Sequence, residues 1–208
     1  MEFSHLFFDL DGTLYTNNNG IWQAIKQRIG KYLTERMGFS EEEQSALREK
    51  YYQLYGTTLR GLQIHHQVDI EDYLSFVHDI PLEEYLSHDE ELYELITTLP
   101  QKKWIFTNAD EAHARRVLSS LGLEGCFDGI IDIHKLDYIC KPNLYAYQRA
   151  LAIAGNPFVE NCMFFDDSFR NLIPAYNLGM TTVLVGNSVD KPEQMQKIKH
   201  LHSLHNLK

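Results

Sequence analysis

From Pro100 onward the chain alternates between two textures. "KWIFTN" precedes "DEAHARRVLSSLG", "FDGIIDI" precedes "NLYAYQRALAIAG", "NCMFFDDS" precedes "RNLIPAYNLGM", and "TTVLV" closes the series. Short β-branched and aromatic runs followed each time by an amphipathic stretch predict βαβ units, hence a parallel sheet with helices on both faces. The run from Leu6 to Leu10 has the same apolar texture but no strand-like neighbour for many residues. It is expected to join that sheet as its first strand.

Residues 16–99 read differently. "WQAIKQRIGKYLTERM", "EEEQSALREKYYQLY", "EDYLSFVHDI" and "DEELYELITTL" carry apolar residues at helical spacing. Ser40 stands three residues before Glu43, the spacing of a capping box, and His88-Asp89 opens the last stretch. The expected fold is therefore α/β. A Rossmann-like parallel core (residues 1–15 and 100–208) carries an all-helical segment (16–99) inserted after the first strand. The tail "KPEQMQKIKHLHSLHNLK" reads as a closing helix, with His200, His202 and His205 on a solvated end rather than in a metal clip.

Composition narrows the function classes. The chain has 208 residues, is 44% hydrophobic and carries a formal net charge of -10. That content supports a substantial core, and the charge argues against a nucleic acid polymer as partner, though not against a small phosphate. No apolar run approaches the roughly 20 residues of a membrane span. The N-terminal "MEFSHLFFDL" lacks the basic region and cleavage site of a signal peptide. Cys126, Cys140 and Cys162 are far apart, with no CxxC and no histidine at a zinc-like offset. Reduced structural thiols in a cytoplasmic protein, monomer or homodimer, are the expectation.

Ligands of open α/β sheets bind beyond the carboxyl ends of the strands. The residues just past each apolar run are Asp9 and Asp11; Thr107 and Asn108; Lys141 with Pro142 in a loop; and Asp166, Asp167 and Ser168. All fall on one edge of the sheet. Four carboxylates meeting there would raise one another's pKa unless a cation compensated. The oxygen-only ligand set suits Mg²⁺ rather than Zn²⁺. Lys141, Thr107 and the backbone N–H groups around Gly12 supply what a phosphoryl oxygen needs.

"DLDGT" (Asp9 to Thr13), "TN" (Thr107-Asn108), "KP" (Lys141-Pro142) and "FFDDSFRN" (Phe164 to Asn171) resemble, in order and spacing, the motifs of the haloacid dehalogenase-like (HAD) phosphohydrolases. The resemblance implies an HAD-like core and specific roles. Asp9 would be the nucleophile that forms an aspartyl-phosphate, and Asp11 the general acid and then base. Asp9, Leu10, Asp11, Thr107, Asn108 and Lys141 would surround the phosphoryl group. Mg²⁺ would be held by Asp9, the Asp11 backbone carbonyl and Asp167, with Asp166 acting through water or from behind, and Ser168 and Asn171 ordering the acidic loop.

An acid at position 11 favours phosphate esters over halides, since a halide needs no protonation. Within the family, "YYQLYGTTLRGL", "FTNADEAHARRVLSSLGLEGCFDGI" and "LGMTTVLVG" are similar to the pyrimidine 5'-nucleotidase-type branch. That likeness implies a small phosphorylated substrate such as UMP or CMP. The helical segment would choose it through Thr57, Thr58 and Arg60, in a turn bracketed by Gly56 and Gly61, and through Tyr52 and His78. Sugar-phosphate or phosphoglycolate phosphatases and β-phosphoglucomutase-like mutases share the same core and are the alternative. A receiver-like phosphoacceptor module has its acid pair elsewhere in the chain and no such helical segment.

Overall fold

The computed structural model describes residues 3–17, 20–186, 196–198 and 201. Strand β1 (His5–Phe8) leads into five helices: α1 (Ile21–Glu35), α2 (Glu41–Tyr55), α3 (Thr58–His65), α4 (Ile70–His78) and α5 (Glu90–Thr98). The alternation then follows as β2 (Lys102–Phe106), α6 (Glu111–Leu121), β3 (Gly129–Ile131), α7 (Leu144–Ile153), β4 (Cys162–Asp166), α8 (Phe169–Leu178), β5 (Thr181–Val185) and β6 (Gln196–Ile198). The six strands form one parallel sheet in the order β3-β2-β1-β4-β5-β6.

The register explains the composition of the strands. Phe7 lies beside Trp104 and Phe164, and Phe8 beside Ile105 and Phe165, so successive residues feed opposite faces. One face packs Phe8, Ile105, Phe165 and Val183 beneath α6, α5 and the start of α1. The other packs Phe7, Phe106, Phe164 and Leu184 beneath α7 and α8. A third cluster, built on Tyr32, Leu33, Tyr51, Leu62, Tyr73 and Leu74, holds α1 to α4 together and extends to Ile133 and Cys140.

Two expectations are corrected. The tail does not simply form a closing helix: Gln196–Ile198 is a strand that pairs with Val183–Val185, whose row of backbone groups would otherwise be an open sheet edge. His200, His202 and His205 lie outside the described residues. The stretch from Gly56 to Gly61 is also not one long turn. Gly56 ends α2 with φ of 92°, Thr57 caps α3 by accepting the Arg60 N–H, and Gly61 sits inside that helix. A Cβ at Gly61 would fall 2.0 Å from Cγ of Tyr51, so this glycine serves close helix packing rather than a bend. Ser40 and Asp89, by contrast, cap α2 and α5 as their spacing predicts.

The helical segment rests on the core through specific contacts. A Cβ at Gly56 would lie 2.5 Å from the Lys141 carbonyl oxygen and 2.6 Å from Pro142 Cδ. Arg170, in the first turn of α8, donates to the carbonyls of Tyr52 and Gln53 at the end of α2. His134 bridges Asp132 in the core (2.7 Å) and Glu71 on α4 (2.9 Å).

Gly61→Ala is expected to lower stability by about 1–3 kcal/mol through overpacking against Tyr51, read from denaturant unfolding midpoints. The His134 bridge predicts a pH dependence. Burial pushes this histidine down, but the hydrogen bonds and charges of Asp132 and Glu71 outweigh it and raise it above its ordinary 6.5. Stability from a raised histidine is complete below the unfolded value and is lost as pH climbs through the folded one. The melting temperature of His134→Ala should fall furthest below that of the unmodified protein at mildly acidic pH, with the gap closing as pH rises above neutrality.

Candidate active site

Because β1 is flanked by β2 and β4 and all strands are parallel, their carboxyl ends converge on one place. Asp9, just past β1, is tied down by its own N–H to the Phe165 carbonyl (2.9 Å) and is nearly buried. The ammonium of Lys141 reaches it from the loop before α7. Nζ lies 2.8 Å from Asp9 Oδ1, 2.8 Å from Asp166 Oδ2 and 2.8 Å from the Phe106 carbonyl. Its three protons are thus matched by three acceptors, and it works on its surroundings as a fixed charge. Asn108 sets this lysine: its Nδ2 donates to the Lys141 carbonyl (3.0 Å) and its Oδ1 accepts the Lys141 N–H (2.8 Å). Thr13 donates to Asp9 Oδ2 (3.2 Å), and Thr107, buried at the end of β2, accepts the Ala109 N–H.

Asp166 is the most enclosed acid. Its Oδ1 accepts the Ser168 N–H (2.8 Å), and the Asn171 amide reaches both oxygens at 3.1 Å. Asp167 is more open and receives Asn17 Nδ2 at 2.6 Å. Asp9, Asp166 and Asp167 each offer a carboxylate oxygen within 4.8 Å of the others. Burial first, then the neighbouring acids, push Asp9 well above the carboxylate range despite Lys141, and push Asp167 up to about 7. Burial pulls Lys141 down, but Asp166 and Asp9 outweigh it and hold it above its ordinary value. One cation among three acids leaves negative charge in excess, which is what a site for a further cation requires. Gly12 keeps the space clear: it has φ of 90°, and a Cβ there would fall 2.5 Å from both Asp167 Oδ2 and Asn17 Nδ2.

Asp11 does not point into this trio, so three carboxylates meet, not four. It lies in the turn closed by Thr13 and Leu14 N–H on the Leu10 carbonyl, and Leu10 itself is wholly buried in the core. The Asp11 carboxylate accepts the Tyr15 hydroxyl and His113 Nε2 (2.9 Å) on the same oxygen, Oδ1. Burial alone would raise Asp11, but His113 and Tyr15 more than offset it and the net shift is downward. His113 moves the other way, raised by Asp11 against the effect of burial.

Sequence reasoning missed Tyr15, His113, Asp110 and Asn17. Tyr15 stands four residues after Asp11. Asp110 caps α6 and His113 is its third helical residue, so an Asp-x-x-His pair at a helix start was the available signal.

The helical-segment residues are divided. His78, at the end of α4, reaches the core: its Nδ1 lies 2.5 Å from Asp110 Oδ2 and its ring stacks on His113 with centroids 4.2 Å apart. Thr58 is buried, and the Thr57 hydroxyl caps α3 and meets Cys140 Sγ at 3.5 Å. Arg60 and Arg170 line a cleft of about 240 Å³ between α2, α3 and the Cys140–Asn143 loop, and none of the four acids lines it. Tyr52 is exposed and lies under the Arg170 guanidinium at 5.8 Å.

Comparison with known proteins agrees with this fold. Residues 3–179 match the family described as haloacid dehalogenase-like hydrolase. The chain is 34% identical over 192 residues to phosphate metabolism protein 8 of Saccharomyces cerevisiae, covering 86% of this chain and 60% of that protein. It thus spans less than two thirds of that relative's length. Among solved structures, an HAD phosphatase from Thermococcus onnurineus superposes with a TM-score of 0.64 at 19% identity, covering 98% of this chain and 97% of that one. The HAD hydrolase YfnB from Bacillus subtilis, bound to magnesium, gives 0.66 at 15% identity, covering 100% and 99%. The chain belongs to the haloacid dehalogenase-like hydrolase family.

Proposed function

We propose that this chain is a Mg²⁺-dependent phosphomonoesterase of the pyrimidine 5'-nucleotidase type, releasing phosphate from UMP- or CMP-like substrates. The observation that carries the chemistry is the seating of Asp9: one oxygen on the buried Lys141 ammonium, the other on Thr13, at the mouth of the sheet. A carboxylate held at both ends has a fixed line of attack. The phosphate metabolism protein and the HAD phosphatase named above support the reaction class.

The donor set fits a hard divalent cation. Asp9, Asp167 and the Asp11 backbone carbonyl would hold it, with Asp166, saturated by Lys141, Ser168 and Asn171, standing behind. When bound, the ion polarises the phosphoryl oxygens and offsets the crowded negative charge. The remaining steps belong to the protein. Asp9 attacks phosphorus in line and the ester oxygen leaves with a proton from Asp11, giving an aspartyl-phosphate and free alcohol. Asp11, now ionised, takes a proton from water. The resulting hydroxide attacks phosphorus, which restores Asp9 and frees inorganic phosphate. The Thr107 hydroxyl donates a hydrogen bond to a phosphoryl oxygen, and Lys141 steadies the charge without giving up a hydrogen bond.

Residues 16–99 act in this reading as the specificity segment over the core. The nucleotide preference rests on the likeness of Tyr51 to Leu62, and of the "FTNADEAH" and "LGMTTVLVG" stretches, to the nucleotidase branch. Thr57, Thr58, Arg60, Tyr52 and His78 are its candidate determinants.

Phosphate release from UMP, CMP, AMP, phosphoglycolate and hexose phosphates tests the substrate: UMP or CMP should lead, and a clear preference for a non-nucleotide overturns the choice. EDTA should abolish turnover and Mg²⁺ restore it. Asp9→Asn should remove turnover on every ester, while near-normal rates in that variant would sink the nucleophile assignment. Gly12→Ala should raise the Mg²⁺ concentration needed for half-maximal rate by roughly 10- to 100-fold, because its Cβ displaces Asp167 and Asn17. Titration of rate against Mg²⁺ reads this directly.

A further inference from the structure

We propose that His113 and Tyr15 are positioning residues that fix which oxygen of Asp11 transfers the proton, and that His78 ties this alignment to the seat of the helical segment. The inference rests on the reading of Asp11 as acid and base.

Asp11 sits beyond the end of β1 in a turn, where neither strand pairing nor Lys141 holds its side chain. A carboxyl group free to rotate would present either oxygen to the ester. Here both donors fall on Oδ1, the Tyr15 hydroxyl and His113 Nε2. An oxygen that accepts two hydrogen bonds is the less basic of the pair, so the proton is carried and delivered by Oδ2. The arrangement divides the carboxyl group into an anchored atom and a working atom.

The anchors are themselves constrained. A phenol hydroxyl has a single proton to give, and Tyr15 gives it to Asp11 Oδ1 from a half-buried position. The His113 side chain has no exposed surface. Its backbone N–H is given to Asp110 Oδ1 (2.8 Å), and its Nδ1 meets no hydrogen-bond partner among the described residues. In either protonation state Nε2 is therefore the atom that serves Asp11. The ring plane is set from outside, by the stack with His78 at 4.2 Å and an interplanar angle of 18°.

His78 is held in turn by Asp110 Oδ2, and the chain around it by Arg116, whose guanidinium donates to the carbonyls of His78 (2.8 Å) and Ile80 (2.6 Å). Asp110 thus engages His113 with one oxygen and His78 with the other. The path from α4 to Asp11 consists of direct contacts at every step.

The test uses leaving groups that differ in their need for protonation. The full chain, in excess over substrate and saturated with Mg²⁺, is mixed with p-nitrophenyl phosphate or phenyl phosphate, and single-turnover release of the phenol is followed. Both esters are similar in shape and neither is a nucleotide, so the outcome is independent of the base preference. His113→Leu and Tyr15→Phe should slow release from phenyl phosphate by roughly 10- to 100-fold, a part of the roughly 100- to 10,000-fold that general acid catalysis contributes. Release from p-nitrophenyl phosphate should be nearly unchanged. His113→Gln, which places an N–H donor near Nε2, should recover much of the phenyl phosphate rate. His78→Ala should show the same pattern at smaller size.

Equal slowing on both esters by Tyr15→Phe, which removes one oxygen atom, would reduce the role to structure and overturn the proposal. Unchanged release from phenyl phosphate in both variants would overturn it as well. Asp11→Asn separates the two readings. If that variant does not discriminate between the esters, the acid assignment of Asp11 itself fails; if it does while Tyr15→Phe and His113→Leu do not, only the present inference fails.

Discussion

Lys141 is a full positive charge with no exposed side-chain surface, and the arrangement of the site depends on how that charge is accommodated. Removing an ammonium from water costs several kcal/mol, which is recovered only where every proton finds an oxygen in good geometry. Three acceptors at 2.8 Å meet that demand, one each from the ends of β1, β2 and β4. The charge therefore clasps three neighbouring strands at their carboxyl edge. Loss of one carboxylate partner from such a pair typically costs about 3–5 kcal/mol, because a buried charge is left uncompensated. The lysine and the two acids are thus jointly required by the fold.

The same residues explain why the site is electrostatically unfinished. Lys141 balances Asp166, which is closed off by Ser168 and Asn171, and shares what remains with Asp9. Asp167 is left with an amide, and its carboxyl is pushed up to about 7. Around it stand two further acids and a single lysine, so negative charge outnumbers positive there. Asp11 escapes the crowding by leaning the other way, toward a histidine and a tyrosine.

Much of the sheet was legible because its signals are local and repeated. "TTVLV" marks β5 to the residue, and "EEEQSALREKYYQLY" marks α2 together with its capping box. The four groups at the strand ends were legible for the same reason, since strand direction alone assigns them to one edge. What escaped depends on contacts between distant residues. His113 looks like any polar residue in the first turn of a helix until α6 is docked beside Asp11, 102 positions away. Gly61 looks like a turn glycine until the Tyr51 ring is seen where its side chain would be. Gln196–Ile198 reads as helix by composition and becomes strand because β5 offers an open edge.

The join at Gly56 bears on how such a protein can change over time. At this point the helical segment touches the core not through side chains but by laying its backbone against the Lys141 carbonyl and Pro142. Whatever sequence the rest of that segment adopts, it must arrive there with a residue lacking a Cβ and tolerant of a positive φ. Recombination between relatives could exchange the helices freely only if both parents kept that one smooth point. The freedom to exchange those helices is in this sense gated by a residue that has no side chain of its own.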